Sequence, residues 1–384
     1  MRHLVYSILF GAATLAAQPF VFDGHVHAVD RIFYHGGDVG ARKPDGQFDL
    51  ARAREGGLGA LFFSIFVTED YYPARLETKQ ALRMLDCALD QIDRNSATIE
   101  LARNATDIDR IRRTGKIAAV LDIEGSFDLD GDLAVLRQMH RLGLRSVQLS
   151  AHNWTSNYAD SCCSTPKWHG LNDRGRAFIH EMNRLGMVIN VSHASDEAIA
   201  QAIDVSSDPV IATHHGLRTV NDIPRNMPED LMRKLAAKGG LFGFQLGNEF
   251  HNRRAFEWVR DHAGKPFWDT SAIAARGPLP LAEIDRLVAP QFPMVPAAIP
   301  DDIRISVDDW VAVVERAIAI VGEDHVSLGS DFDGGPPLPR PMRDVRDLPL
   351  LAEAMRRRGW SDARIAKFLG GNLLRVFRQI TEKR

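Results

Sequence analysis

Five short apolar runs in this chain each stop on a side chain of the kind that binds cations. They read FVFDGHVH, ending at His25 and His27; AAVLDIEG, with Glu124; MVINVSH, with His193; PVIATHH, with His214 and His215; and VSLGSDFDGG, with Asp331. A short apolar run buried on both faces is how a strand of a parallel sheet reads in sequence. Polar groups at the carboxyl ends of several such strands are how a (β/α)8 barrel builds a site, because its parallel strands all end on one rim. Imidazoles and carboxylates on that rim imply a metal centre and hydrolytic chemistry.

Eight strands are expected, over 20–27, 60–66, 117–124, 146–150, 187–193, 209–214, 241–246 and 326–332. Apolar residues at helical spacing alternate with them, over 78–95, 133–142, 173–185, 196–203 and 229–237. Gly143 and Gly186 are placed as helix stops. The fold class is therefore α/β, a (β/α)8 barrel. A doubly wound open sheet is disfavoured, because no GxGxxG follows the first strand. A long insertion, 247–305, follows strand seven and is rich in Pro, Arg and aromatic residues (Phe250, Phe256, Trp258, Phe267, Trp268). A segment of this length usually serves as a lid or an interface. Its aromatic content makes it a candidate homodimer face. Ser306 to Asp309 reads as a capping box opening a helix that ends near residue 321, and 348–357 and 361–379 read as two closing helices.

A net charge of −3 with no basic run argues against nucleic acid or an anionic membrane as partner. The start is distinctive. A positive Met1–His3 leads into apolar Leu4–Ala17 and then Ala16-Ala17-Gln18, the layout of a secretory signal peptide over 1–17. The apolar run is too short for a stable membrane span. Residues 18–384 then form a single exported domain, periplasmic or secreted. Cys87, Cys162 and Cys163 make no disulfide framework and no CxxC zinc spacing. Free thiols are as much expected as a bridge, and an adjacent Cys162–Cys163 bridge would be strained.

The rim residues carry the chemistry. His25 and His27, two apart on a strand, point the same way and can grip one ion with Glu124. Glu124 with His193 and His214 can hold a second, and His215 is an alternative to His214. Imidazole with carboxylate suits two Zn2+, with Mn2+ or Co2+ compatible. Asp331 or Asp333, in Gly329-Ser-Asp-Phe-Asp-Gly334, offers a proton shuttle. His152 can donate to a carbonyl oxygen, and Arg225 can hold a carboxylate.

These residues resemble the membrane (renal-type) dipeptidase family, peptidase family M19, of the amidohydrolase superfamily. The matching stretches are DGHVH at 23–27, IEG at 123–125, His152-Asn-Trp through Ala159-Asp160, NVSHAS at 190–195, ATHH through PRNMPEDL at 212–231, GSDFDGG at 329–335 and GGNLLRVF at 370–377. The resemblance implies a metallo-dipeptidase that hydrolyses small free dipeptides, L-Xaa-D-Xaa included. It implies His25 on one zinc, His193 and His214 on the other, and Glu124 bridging both. It further implies His152 and Arg225 on the substrate, and Asp331 near the free amine and the proton transfer. Other amidohydrolase activity, as an N-acyl-amino-acid deacylase or lactonase, is the rival on the same centre. A non-catalytic metal-binding protein is the rival of another class.

One departure has a consequence. The family commonly has His-x-Asp after the first strand, and this chain has His25-Val-His27. A neutral ligand in place of a carboxylate leaves the centre more positive. Activity should then extend to lower pH than in a His27→Asp variant. An unshifted pH–rate profile would contradict that expectation.

Overall fold

Residues 19–262, 269–292, 295–296 and 298–382 are described by the structure, a computed structural model. All eight expected strands form, and one more. They are β1 (Val21–Val26), β2 (Leu58–Val67), β3 (Ile99–Leu101), β4 (Ile117–Gly125), β5 (Ser146–Gln148), β6 (Val188–Asn190), β7 (Ile211–His215), β8 (Leu241–Phe244) and β9 (Val326–Leu328). They pair in the order β1-β2-β4-β5-β6-β7-β8-β9, every pair parallel. The unexpected β3 borrows the edge of β4 at Ile117–Ala119, before β5 takes that edge at Asp122 and Ile123. The ring closes just past β9. Asp331 N–H donates to the His25 carbonyl at 3.0 Å, and His27 N–H donates to the Phe332 carbonyl at 2.9 Å.

Alternation along β4 explains what the ring contains. Ala118 and Val120 join an inner apolar cluster with Phe22, Phe62, Ile211 and Leu241, while Ala119, Leu121 and Ile123 pack in the outer layer. The next residues on the inner face are Asp122 and Glu124. The helix Asn372–Thr381 adds Leu373, Val376, Phe377 and Ile380 to the inner cluster. Each such buried side chain contributes about 1.5–3 kcal/mol. The amino-terminal half of the barrel interior is thus an apolar plug, and the polar groups begin above it.

The helices Leu133–Leu142, Asp173–Leu185 and Glu229–Ala237 form as expected, and Gly143 and Gly186 end the first two in left-handed backbone. Ser306 and Asp309 make the capping box. The closing helix expected over 361–379 forms over 362–381, with a wider π-helical turn at Lys367–Gly371 between Asp362–Ala366 and Asn372–Thr381. Gly370 supplies the reason: a Cβ there would lie 2.8 Å from Phe22 N and 2.9 Å from Phe20 O. The wide turn lets the chain press against the start of β1.

The insertion folds into Asn248–His251, Arg253–His262, Ser271–Arg276 and Leu281–Val288. It is tied to the loops after β1 and β2. Tyr71 Oη donates to Asp285 at 2.8 Å, Arg83 pairs with Asp285 at 2.8 Å, and Tyr34 stacks on Phe292. Phe250 and Phe256 are buried in a cluster with Ile223, so they do not supply an exposed aromatic face. Phe267 and Trp268 lie outside the described residues, as does the segment 1–17 expected to be a signal peptide. Among the described residues no helix is long and apolar enough to cross a membrane. Cys162 and Cys163 are bonded to each other, and Cys87 is a half-buried free thiol.

Close strand packing at the rim depends on missing side chains. A Cβ at Gly243 would lie 1.9 Å from Thr213 O, and one at Gly329 would lie 1.8 Å from it. Gly329→Ala should therefore destabilise the protein by about 1–3 kcal/mol or more, read as a lower urea midpoint at unchanged slope.

Candidate active site

Glu124 stands at the end of β4 with its two oxygens turned to different partners. Oε2 lies 2.7 Å from His25 Nε2 and 3.0 Å from His27 Nε2. Oε1 lies 2.9 Å from His193 Nε2 and 3.7 Å from His214 Nε2. The two Nε2 atoms of the first pair are 3.1 Å apart and those of the second 3.2 Å. Four imidazoles from three strand ends thus converge on one carboxylate at a fourth. His215 does not join them. Its ring faces Phe242, and neither of its nitrogens has a hydrogen-bond partner.

Each converging imidazole is held by its other nitrogen. His25 Nδ1 is 3.0 Å from Ser64 Oγ, which donates to Asp122 at 2.7 Å. His27 Nδ1 is 2.9 Å from Asp30, His193 Nδ1 is 3.2 Å from Asn153 Oδ1, and His214 Nδ1 is 2.9 Å from Thr213 Oγ1. Partners at Nδ1 orient the ring and leave Nε2 as the atom presented, which is how ligating histidines are usually supported.

Burial pulls His25 down, but Glu124 and Asp122 outweigh it and its pKa stands at about 9. His27 is likewise raised against burial, by Asp30, Asp331 and Glu124. Burial, and then Arg225, hold His193 well below its usual value. Burial and then His25 do the same to His214. Both shifts favour the neutral imidazole, and the two Nε2 atoms lie 3.2 Å apart. In the first pair the surrounding carboxylates favour the charged form. Paired nitrogens at this spacing around a buried carboxylate fit divalent cations with a taste for N and O donors. Two candidate sites of zinc type result, sharing Glu124, with Asp331 and His152 also within reach of them.

The remaining expected residues face a cavity of about 650 Å³ above this cluster. Asp331 Oδ1 is 3.1 Å from His27 Nε2, and Asp331 Oδ2 accepts from Gln245 Nε2 at 2.7 Å. Asp333 is turned away, accepting from the Gln47 amide and lying 3.7 Å from Arg31. His152 Nδ1 is 2.6 Å from Glu69, and its Nε2 is 3.4 Å from Glu124. Arg225 is buried rather than solvated. Its Nη2 donates to the His214 carbonyl at 3.2 Å, while Nε and Nη1 have no partner. Burial lowers its pKa to about 10. His152, His193 and Asp331 all have left-handed backbone, with φ of 56°, 65° and 64°, a costly conformation that gathers at functional sites. The insertion supplies Val259, Thr270, Ile273, Arg276 and Gln291 to the cavity wall, and Arg276 is anchored to Asp70 at 2.7 Å.

A family model for the membrane dipeptidases, peptidase family M19, matches residues 11–384. The chain belongs to this family. It is 30% identical over 345 residues to dipeptidase tcpJ of Claviceps purpurea, covering 88% of this chain and 70% of that protein. It is 30% identical over 345 residues to dipeptidase 3 of Mus musculus, covering 88% of this chain and 59% of the mouse protein. A solved metallo peptidase from Rhodobacter sphaeroides, liganded with a phosphinate mimic of the dipeptide L-Ala-D-Ala, shares the fold. Its TM-score is 0.72 at 21% identity, covering 94% of this chain and all of that one.

Sequence reasoning missed the supports: Ser64, Glu69, Asp122 and Gln245. Asp122 was the readable one, since it sits two residues before Glu124 on the same strand face. Glu69 follows β2 in a loop with no periodic signal. The support role of Asp122 is testable in this M19 dipeptidase-family chain. Asp122→Asn should weaken binding of the ion nearest His25 by about 10–100-fold in competition with a chromophoric chelator, with the fold intact by circular dichroism.

Proposed function

We propose that this chain is an exported metallo-dipeptidase that hydrolyses the peptide bond of small free dipeptides, L-Ala-D-Ala among them. The observation that carries the reading is Glu124 facing one imidazole pair with each oxygen, below a cavity that also holds a buried, half-unpartnered arginine. Membership of the dipeptidase family supports it, as does the dipeptide mimic held by the Rhodobacter relative. The leader-like residues 1–17, followed by one catalytic domain over 18–384, support export.

In this reading His25, His27 and Glu124 hold one zinc, and Glu124, His193 and His214 hold the other. When bound, such ions supply Lewis-acid polarisation of the scissile carbonyl and ready deprotonation of water. The protein's own groups do the rest. Arg225 keeps unpartnered donors on a buried guanidinium for the substrate carboxylate, where a charge-assisted hydrogen bond gives the grip. His152 has Nδ1 committed to Glu69, so Nε2 is the atom it turns to the carbonyl oxygen. Asp331 is steadied at Oδ2 by Gln245 and keeps Oδ1 for the free amine and for carrying a proton to the leaving nitrogen.

The test is release of free D-alanine from L-Ala-D-Ala by the zinc-loaded protein, with N-acetyl-D-Ala beside it. Hydrolysis of the free dipeptide alone is expected, and chelation should abolish it. Hydrolysis of the acetylated compound alone would place the protein among the deacylases. Arg225→Ala should lower kcat/KM by about 10²-fold or more on the free dipeptide, the loss of a charged hydrogen-bonded contact. It should do far less on the carboxamide. Equal losses would remove Arg225 from the carboxylate role.

A further inference from the structure

Beyond β8 the chain runs through Gln245 and Gly247 into the short helix Asn248–His251. This stretch puts two buried acceptors on the cavity wall that the chemistry above does not use. Gln245 is 2% exposed and Glu249 7%, and both line the cavity. Gln245 spends its Nε2 on Asp331, which leaves Oε1 as its remaining polar atom, and that oxygen has no partner. Glu249 Oε2 has none either. The two oxygens share one small volume: a Cβ on Gly247 would lie 2.8 Å from Gln245 Oε1 and 3.0 Å from Glu249 Oε2.

The other carboxylates around the cavity are engaged. Glu69 meets His152, Asp70 meets Arg276, Glu124 meets the imidazoles, Asp269 accepts from the Ser271 amide, and Asp331 meets Gln245 and His27. Glu249 has no cationic partner among the described residues. Burial, with the nearby charge of Asp331 adding to it, pushes its carboxyl up to about 8. A buried carboxyl beside a buried amide oxygen is unfavourable unless a donor meets them, either a proton kept on Glu249 itself or a cation arriving from elsewhere. The cavity is the route by which one can arrive. Its walls at Phe250, Val259 and Ile273 are apolar, and suit the methylene stem of a long side chain whose charge sits at its tip.

We propose that Gln245 Oε1 and Glu249 Oε2 form a side-chain subsite that takes the cationic tip of a lysine- or arginine-bearing dipeptide. The inference rests on the dipeptidase reading and gives it a substrate preference.

The experiment compares kcat/KM for L-Ala-L-Lys and L-Lys-L-Ala with their norleucine isosteres, using the full zinc-loaded chain. Lysine should be preferred over norleucine by about tenfold or more at one of the two positions, the scale of one desolvated charge contact. Glu249→Gln should remove most of that ratio, mainly through KM. Gly247→Ala gives an independent check. Its φ of −60° accommodates a side chain, and the added methyl would crowd both oxygens without changing charge. It should lower the same ratio. A wild-type ratio near one at both positions, or a ratio unmoved by Glu249→Gln, overturns the subsite, as it would if a water simply bridged the two acceptors. L-Ala-L-Ala separates the two ideas. Its hydrolysis without a lysine preference sinks the subsite alone, whereas a metal-replete protein inert to every dipeptide sinks both.

Discussion

A carboxylate buried among four imidazoles governs the architecture of the upper barrel. Taking the Glu124 charge out of water costs several kcal/mol, and only well-aimed partners offset it. Both its oxygens must therefore be met, and the groups that meet them must not rotate away. That requirement propagates outward. Ser64 and Asp122 fix His25, Asp30 fixes His27, Asn153 fixes His193 and Thr213 fixes His214. Asp30 in turn accepts from the Phe66 amide at 3.0 Å, so the support of the support is the β2 backbone itself. The left-handed conformations at His152, His193 and Asp331 cost about 1–3 kcal/mol each. They persist because these side chains are held from several directions at once.

Stability and chemistry occupy different ends of the same strands. The lower interior is filled mainly by apolar side chains, Phe22, Phe62, Val120 and those of the helix Asn372–Thr381. The upper interior holds charges that would be unfavourable without that rigid base. The alternation of β4 makes the division visible in four residues, Ala118, Val120, Asp122 and Glu124, two for packing and two for the cluster. The insertion adds a third layer. It is latched to the β1 and β2 loops through Asp285 and Phe292 and brings Ile273 and Arg276 over the cavity.

Strand ends were legible because buried parallel strands leave a strong signal, an apolar run broken by a ligand-type residue. The five converging side chains, and the preference for His214 and Asp331 over His215 and Asp333, could be anticipated from position and family likeness. What could not be read is long-range. β3 is only three residues, and it forms because β4 has a free edge there. Glu69 and Gln245 act on partners 83 and 86 residues away, and no local pattern encodes such a pairing. The wide turn inside the closing helix lies where Gly370 meets β1, a contact made only in the finished barrel. The burial of Phe250 and Phe256 was hidden because an aromatic residue in a long loop looks alike whether it covers a cavity or faces solvent.

The hydrogen bonds that close the ring also set a timetable. They join the His25 and Asp331 segments, and the neighbouring Asp23–Ser330 contact spans 307 residues of chain. At roughly 5–20 residues per second, the first pair of imidazoles leaves the ribosome some 15–60 seconds before the strand that completes their surroundings. Glu124 follows His25 by 99 residues and Asp331 comes only with the last strand, so His25-Val-His27 gains its full surroundings last of all. The complete set of ligand atoms on the rim therefore exists only once the first and last strands have met.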